Sequence, residues 1–199
     1  MKLIEDCGQQ IGHGDKHILK HRYWASREIE CIRYPLPCGD YILTNEKVED
    51  VISRKSKRGV AIKKLDFLGT YNMAVDTKKD MMEIVGNVCG PQHTRFRDEC
   101  ILAQNNGIKL YVLVENEDGI HSVNDVFHWI NPRMHRYNKI AYMHSQGKWT
   151  NIALPKGKPT AGSTLAKAML TLQLKYGVEF VFCHPKEAGR KVLELLGGE

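Results

Sequence analysis

Residues 73–80 read Met-Ala-Val-Asp-Thr-Lys-Lys-Asp, and this stretch decides the expected fold. Its apolar start predicts a buried strand, yet the charged residues Asp76 and Lys78 belong to the same strand. Side chains two positions apart on a strand point to one face, so this aspartate and this lysine project together. A buried charge is costly without a partner or a function, so the pair is a candidate for catalysis. An ion pair on a solvated face is the alternative.

A second acid lies upstream, where Gly39-Asp40 opens the short apolar segment Tyr41-Ile42-Leu43. Hydrolysis of a phosphodiester requires carboxylates that hold Mg²⁺ near the phosphate, and a cation that stabilises the developing charge. Asp40 from a neighbouring strand supplies a carboxylate beside Asp76, and Lys78 supplies the cation. We therefore predict that these three residues are catalytic. A plain turn residue is the alternative for Asp40.

Apolar runs and helical patterns alternate along the chain. Strands are predicted at 2–4, 29–34, 41–43, 73–78, 109–114 and 178–183, and helices at 13–27, 81–85, 94–104, 163–176 and from 185 to about 197. This order indicates a single α/β domain over residues 1–199, with helices layered on a mixed sheet. Two basic segments interrupt it: an insertion at about 45–72, expected to leave the core, and an irregular stretch at about 130–160.

The distribution of charge favours a polyanionic partner. The net charge is +6, and residues 126–178 contain eight Lys or Arg and no Asp or Glu. Basic faces of this kind suit nucleic-acid phosphates, although a solvated surface is the alternative. For residues 95 and 97 the alternative is a helix face on which they form ion pairs with Glu99. The candidate phosphate-binding residues are Arg54, Lys55, Lys57, Arg58, Arg95, Arg97, Arg133 and Arg136.

Several other classes of protein are not indicated. No run of about 18 apolar residues and no apolar leader is present, so we expect a soluble, cytoplasmic protein. The six cysteines are scattered without a C-x-x-C pair, which predicts free thiols. His13, His17 and His21 would line one helix face at a spacing that can bind Zn²⁺, but the sequence shows no further ligand for them.

Taken in order, these pieces resemble a known family. The strand Leu3-Ile4-Glu5-Asp6, the segment Leu36–Tyr41, the Asp76-Thr77-Lys78 motif, the helix with Arg95 to Glu99 and the strand Tyr111–Glu115 are similar to the nuclease domain of the XPF/MUS81 type. These ERCC4-domain nucleases of the PD-(D/E)XK superfamily cut branched DNA, and the chain resembles their small stand-alone bacterial and phage members. The resemblance covers residues 1–116 and, more loosely, the end of the chain.

The resemblance implies a restriction-endonuclease-like α/β/α sandwich and a divalent ion, Mg²⁺ or Mn²⁺. It makes Asp6, Asp40 and Asp76 the metal ligands and Lys78 the catalytic lysine. It also implies branched or junction-like DNA as the partner, and leaves a homodimer open. Three departures stand out: Gln9 replaces an acid, Thr77 replaces the family's arginine, and 45–72 is longer than usual. The family's tandem helix-hairpin-helix domain has no visible counterpart.

We therefore carry two main hypotheses forward. The first is a metal-dependent endonuclease that hydrolyses DNA. The second is a non-catalytic nucleic-acid-binding module that retains the nuclease fold, which the departures at Gln9 and Thr77 favour. An RNA-directed enzyme is a third, weaker alternative.

Overall fold

The computed structural model describes residues 1–9, 15–153 and 155–198, with the side chains of residues 15 and 16 left out. Within this part, six strands form one sheet in the order β2-β1-β3-β4-β5-β6. The strands are β1 Lys2–Asp6, β2 Glu30–Tyr34, β3 Tyr41–Leu43, β4 Met73–Lys78, β5 Lys109–Glu115 and β6 Glu179–Cys183. All six lie where the sequence predicts them.

The described helices connect these strands. They are α1 Asp15–Ser26, α2 Glu46–Lys57, α3 Met81–Val88, α4 His93–Asn105, α5 Val123–Val126, α6 Arg133–Ser145, α7 Gly162–Tyr176 and α8 Ala188–Leu195, with 3-10 turns at Lys64–Phe67 and Pro185–Glu187. Each predicted helix has a counterpart, and α2, α5 and α6 are additions. None of the helices in the described part is long and apolar enough to cross a membrane.

The sheet is mixed, as the sequence predicts. Strand β1 runs parallel to β2 and antiparallel to β3, and β3 runs antiparallel to β4. Strands β4, β5 and β6 are parallel to one another, and the helices that connect them cover the sheet. The short antiparallel strand β3 therefore places Asp40, at its start, next to the carboxyl-terminal half of β4.

Two apolar cores lie on opposite faces of the sheet. Alternate residues of β4 divide between them, because Ala74 belongs to the core formed with α2, α3, α4 and α7, and Val75 to the core formed with α1 and α8. By the same alternation Asp76 and Lys78 face the first core. The mixed sheet with helices on both faces confirms the predicted α/β layers.

The segment 45–72 is not an excursion from the core, as the sequence led us to expect. Helix α2 is amphipathic, and Val48 and Val51 are buried in the first core together with Phe67 and Tyr71. The side chain of Asn45 caps the helix by accepting a hydrogen bond from the Val48 backbone N–H at 3.0 Å. In the sequence these few apolar residues lie among the charged residues of the outer face of α2, so the sequence did not predict that this segment packs on the core.

The segment 130–160 is not irregular throughout, because α6 occupies residues 133–145. The side chain of Asn131 accepts a hydrogen bond from the Arg133 backbone N–H at 3.0 Å at the start of this helix. Within α6 only Ile140 is buried, so the apolar periodicity that reveals a helix in a sequence is almost missing.

Candidate active site

Asp76 and Lys78 form a buried ion pair at the end of β4. Their exposed fractions are 3% and 4%. The Lys78 Nζ donates a hydrogen bond to Asp76 Oδ1 at 2.8 Å and lies 2.7 Å from Oδ2. The Lys78 ammonium also lies 5.4 Å from the centre of the Phe96 ring, in a cation–π contact. This burial excludes the alternative of a solvated surface pair.

Asp40 is held against β4 by its backbone and by its side chain. Its backbone N–H donates to the Val75 carbonyl at 2.8 Å, and its Oδ2 accepts from both the Thr77 N–H and the Thr77 hydroxyl at 2.7 Å. The preceding Gly39 has φ +74°, and a Cβ there would lie 2.8 Å from the Ala74 Cβ. The strand-to-turn geometry at Asp40 therefore depends on glycine. Thr77, which departs from the family's arginine, orients Asp40.

Glu99 joins this group from α4, although its sequence position suggested an outer face paired with Arg95 and Arg97. Its Oε1 accepts a hydrogen bond from the Gly39 backbone N–H at 2.9 Å. Burial raises the pKa of Glu99. The hydrogen bond from the Gly39 N–H and the charge of the Lys78 ammonium act in the opposite direction, but the pKa remains raised. A signal was present in the sequence, because Glu99 adjoins the apolar stripe of α4, namely Phe96, Cys100 and Ala103.

The electrostatics of the site are unbalanced toward negative charge. Burial raises the pKa of Asp76 well above its usual value; the Lys78 ammonium opposes this rise, and the Glu99 and Asp40 carboxylates add to it. Burial works to lower the pKa of Lys78, but the Asp76 and Asp40 carboxylates raise it overall. One ammonium thus faces three carboxyl groups. A low-dielectric site with surplus carboxylates suits a divalent cation.

The donor set therefore fits Mg²⁺ or Mn²⁺. Carboxylate oxygens are the ligands that these hard cations prefer. Oδ2 of Asp76 is buried and accepts no hydrogen bond from the described residues, which leaves it available for a cation besides the adjacent ammonium. Asp40 and Asp76 are the carboxylates of this cluster that could hold the ion, and their predicted role as metal ligands stays a prediction.

Asp6, the third predicted ligand, lies beside Asp40 but has other partners. Its backbone N–H donates to the Asp40 carbonyl at 2.7 Å. Its Oδ1 accepts from the Leu36 N–H at 2.8 Å, and its Oδ2 from the Gly8 N–H at 3.2 Å. The carboxylate thus closes the loops around the site, and its predicted role as a metal ligand stays a prediction.

The predicted phosphate-binding residues fall into two groups. Three of them already have acidic partners: Arg54 pairs with Asp50 at 2.9 Å, Lys55 with Asp66 at 2.9 Å, and Arg97 with Asp98 at 3.0 Å. The others are exposed side chains at the end of α2, at the start of α4 and on α6: Lys57, Arg58, Arg95, Arg133 and Arg136.

A surface groove links the end of β4 to α6. Met82, Gly86 and Pro91 line a cavity that begins at Lys79 and Asp80, and they also line a larger cavity of about 760 Å³ that contains Arg133 and Arg136. The groove therefore runs from the residues that follow Lys78 to two exposed arginines.

Comparisons with known proteins agree with this architecture. No curated protein matches the chain. Among solved structures, "XPF from Aeropyrum pernix, complex with DNA" is similar, with a TM-score of 0.50 and 16% sequence identity. The alignment covers 98% of this chain and 63% of that chain, so this protein spans less than two thirds of the XPF chain's length. The likeness supports the fold. Residues 14–195 match the ERCC4 domain, so the chain belongs to the ERCC4 domain family of nucleases.

Proposed function

We propose that this protein is a divalent-metal-dependent endonuclease that hydrolyses phosphodiester bonds of DNA, with branched or junction-like DNA as its substrate. The observation that carries the proposal is the buried pair of Asp76 and Lys78, surrounded by the carboxyl groups of Asp40 and Glu99. A buried charge pair that faces further carboxyl groups is destabilising by itself, and such clusters are typical of functional sites. Membership of the ERCC4 domain family supports this interpretation.

Asp40 and Asp76 would hold Mg²⁺ or Mn²⁺, with Asp6 as the third candidate ligand. When bound, such an ion polarises a phosphoryl oxygen and lowers the pKa of a coordinated water. Thr77 fixes Asp40 through two hydrogen bonds, so this carboxylate is oriented in advance. Glu99 holds the Gly39 N–H and thereby positions the turn that presents Asp40.

Lys78 supplies the fixed positive charge. Its ammonium is held by Asp76 and lies over the Phe96 ring, so few rotamers are open to it. In this position it would orient the attacking water or stabilise the charge that develops on the phosphate. A charge fixed in advance in a dry site needs no reorganisation during the reaction, which is why we assign Lys78 to catalysis and not to metal binding.

The DNA backbone would follow the groove from Lys79 toward α6. Arg133 and Arg136 line its far end, where residues 126–178 carry no acid to repel phosphates, whereas Asp80 and Glu83 line the end near β4. Arg95 at the start of α4 lies close enough to Glu99 to lower its pKa, so it also adjoins the site. Lys57 and Arg58 offer a second basic edge, whereas Arg54, Lys55 and Arg97 would first have to leave their acidic partners.

A non-catalytic nucleic-acid-binding module is the second candidate. Two observations favour it. The Asp6 carboxylate already accepts hydrogen bonds from two backbone amides, and Thr77 stands in place of the family's arginine. Under this hypothesis the cluster at β4 has no catalytic role, and DNA binding needs no divalent ion. A homodimer is compatible with both candidates.

The test is cleavage of linear, flap, fork and four-way DNA by the purified chain, in Mg²⁺, in Mn²⁺ and in chelator. We expect cutting of the branched substrates that stops completely in chelator. Binding without cutting in both metals would support the module, and equal cutting of linear and branched DNA would remove the proposed substrate preference.

A further inference from the structure

A second cluster of potential ligands lies on the other face of the sheet. Glu5 on β1 points toward α1, because its neighbour Leu3 packs in the core of that face and Ile4 in the opposite one. His17 and His21, one turn apart on α1, direct Nε2 to Glu5 Oε1 at 2.6 Å and 3.2 Å. The three ligand atoms all lie within 4.8 Å of one another.

Glu5 is fully buried and incompletely hydrogen-bonded. Its side chain is 1% exposed, and its Oε1 accepts from both imidazoles and from the Tyr41 hydroxyl, the last at 3.1 Å. Its Oε2 accepts no hydrogen bond from the described residues, although Arg33 Nε lies 3.2 Å away. Burial works to raise the pKa of Glu5, but the hydrogen bonds and charges of His21 and His17 outweigh it and lower the pKa to about 2.

We propose that Glu5, His17 and His21 form a Zn²⁺ site that is separate from the carboxylate cluster at β4. Two imidazole nitrogens and one carboxylate oxygen are a ligand set that Zn²⁺ accepts with a fourth position left for water. Nitrogen donors favour Zn²⁺ over Mg²⁺, so this site differs in metal preference from the proposed nuclease centre.

The spacing of the donors suits a tetrahedral ion after a small movement. Zinc–ligand distances of about 2.0–2.1 Å place ligand atoms about 3.3 Å apart. The His21 to Glu5 distance of 3.2 Å matches this value, and the His17 to Glu5 distance of 2.6 Å must open by less than about 1 Å. The hydrogen bonds to Oε1 require Nε2–H on both rings; a metal takes the place of these hydrogens, and each neutral ring then carries its hydrogen on Nδ1.

The site is both supported and accessible. The His21 ring packs at 5.1 Å, centroid to centroid, against the buried Trp24, and at 4.3 Å against the His17 ring, so both imidazoles are held in place. A cavity of about 520 Å³ opens over the ligands, and the His21 side chain is 35% exposed. An ion and its water ligand thus have a route from solvent.

A metal here would act as a clamp between α1 and the sheet. Glu5 adjoins Asp6, and the Tyr41 hydroxyl that binds Glu5 belongs to the residue after Asp40. The ion would fix the helix to β1, which ends at the candidate active site, and through the Tyr41 hydroxyl to β3, which begins there. His13 lies outside the described residues, so the site is built from His17, His21 and Glu5 alone.

The test uses the full chain after removal of metals. Zn²⁺ is titrated in excess Mg²⁺, and its binding is measured by competition with a chromogenic chelator. Co²⁺ is titrated separately, and its binding is measured by visible absorption, which intensifies on tetrahedral coordination. We expect one equivalent of Zn²⁺, an intense Co²⁺ spectrum, and a Tm raised by about 5–10 °C at a hundredfold excess of Zn²⁺ over Kd.

Four variants locate the ion. His21→Asn and His17→Asn should each weaken Zn²⁺ binding by at least about 100-fold, since even the loss of a supporting contact costs 10–100-fold. The matched control His128→Asn, an exposed histidine elsewhere, should bind like the wild type. Asp76→Asn should also retain Zn²⁺ binding, which separates this site from the nuclease centre.

Two results would overturn the proposal. One is a wild-type chain that takes up no Zn²⁺ and leaves Co²⁺ in its octahedral spectrum. The other is Zn²⁺ uptake that both histidine variants retain or that Asp76→Asn abolishes, which would place the ion elsewhere. Circular dichroism of each variant confirms the fold, and an octahedral Co²⁺ spectrum of the wild type overturns the proposal even if a variant does not fold.

Discussion

The two faces of the sheet each bury a carboxylate, and their surroundings drive the two groups in opposite directions. Asp76 lies among Asp40 and Glu99 with a single ammonium, and its pKa is raised. Glu5 lies among two imidazoles and a guanidinium, and its pKa is lowered to about 2. Burial works to raise the pKa of both carboxylates; at Asp76 that rise prevails over the Lys78 ammonium, whereas at Glu5 the two histidines reverse it. One face is short of positive charge and suited to a hard cation; the other offers nitrogen donors.

The largest expected effect concerns the lysine of the carboxylate-rich face. Lys78→Ala should lower the single-turnover rate on branched DNA by two or more orders of magnitude, about 2.7 kcal/mol or more of barrier. Lys78→Arg should restore little, because a planar guanidinium does not replace a compact ammonium. DNA and Mn²⁺ binding should remain in both variants. Lys47→Ala, an exposed lysine on α2, is the control, and a wild-type rate for Lys78→Ala would contradict the assigned role.

The second prediction tests whether the turn before Asp40 positions its carboxylate. Gly39→Ala introduces a Cβ that lies 2.8 Å from the Ala74 Cβ and must adopt a φ of +74°. We expect a loss of about 1–3 kcal/mol in stability and about a tenfold to hundredfold loss of cleavage rate. Gly59→Ala is a matched control, because Gly59 has φ +61° and a Cβ there would meet nothing within 4 Å. Equal effects on cleavage would show that backbone strain alone, and not the position of Asp40, is responsible.

The third prediction compares the two carboxylates through pH. For Asp76 the folded pKa is raised, so the folded state binds more protons and stability falls as the pH rises from the usual 3.8 through the raised pKa. For Glu5 the folded pKa of about 2 is below the usual 4.5, so its contribution is present above pH 4.5 and is lost as the pH falls toward 2.

Thermal unfolding of metal-free protein across this range checks the comparison. In the wild type, Asp76 should make Tm decline as the pH rises, and Asp76→Asn should remove this decline. Glu5 should make Tm increase as the pH rises, and Glu5→Gln should remove this increase. Difference curves against wild type must therefore have opposite slopes. Slopes of the same sign would mean that the two environments do not differ as described.

The smallest expected effects concern DNA binding. Arg133→Ala and Arg136→Ala should each weaken binding and flatten the dependence of log affinity on log salt by about 0.9 for every lost phosphate contact on duplex DNA. Lys57→Ala and Arg58→Ala should act similarly.

The ion-paired residues and the opposite face provide the controls for binding. Arg54→Ala and Lys55→Ala should have less effect, because these side chains already have acidic partners. Arg27→Ala and Arg190→Ala lie on the α1 and α8 face and should leave the salt slope unchanged. A change of slope from these two, with none from α6, would place the DNA on the other side of the sheet.

The sequence alone was sufficient to predict the six strands and the pairing of Asp76 with Lys78 on β4. The apolar run before Asp76 and the Gly-Asp turn at Asp40 are local signals, and local signals survive in a single sequence. The basic α6 was missed because one buried residue, Ile140, leaves almost no periodicity. Helix α2 was misread because its few apolar anchors lie among charges.

The parts of the sites that the sequence did not reveal depend on distant residues. Glu99 reaches Gly39 across sixty positions, and Glu5 reaches His17 and His21 only because β1 lies beneath α1. No spacing rule predicts a contact between different elements until the sheet order is known. The single-domain organisation over residues 1–199 stays a prediction.

The central claim is that the carboxylate cluster around the buried Asp76 serves metal-dependent cleavage. Its most direct test is single-turnover cleavage of a branched DNA by wild type and Asp76→Asn, in Mg²⁺ and in chelator, with the exposed Asp98→Asn as the matched control. We predict that wild type and Asp98→Asn cut only in Mg²⁺, while Asp76→Asn binds the DNA with unchanged affinity and does not cut. Cleavage by Asp76→Asn at the wild-type rate, or by wild type in chelator, would contradict the account.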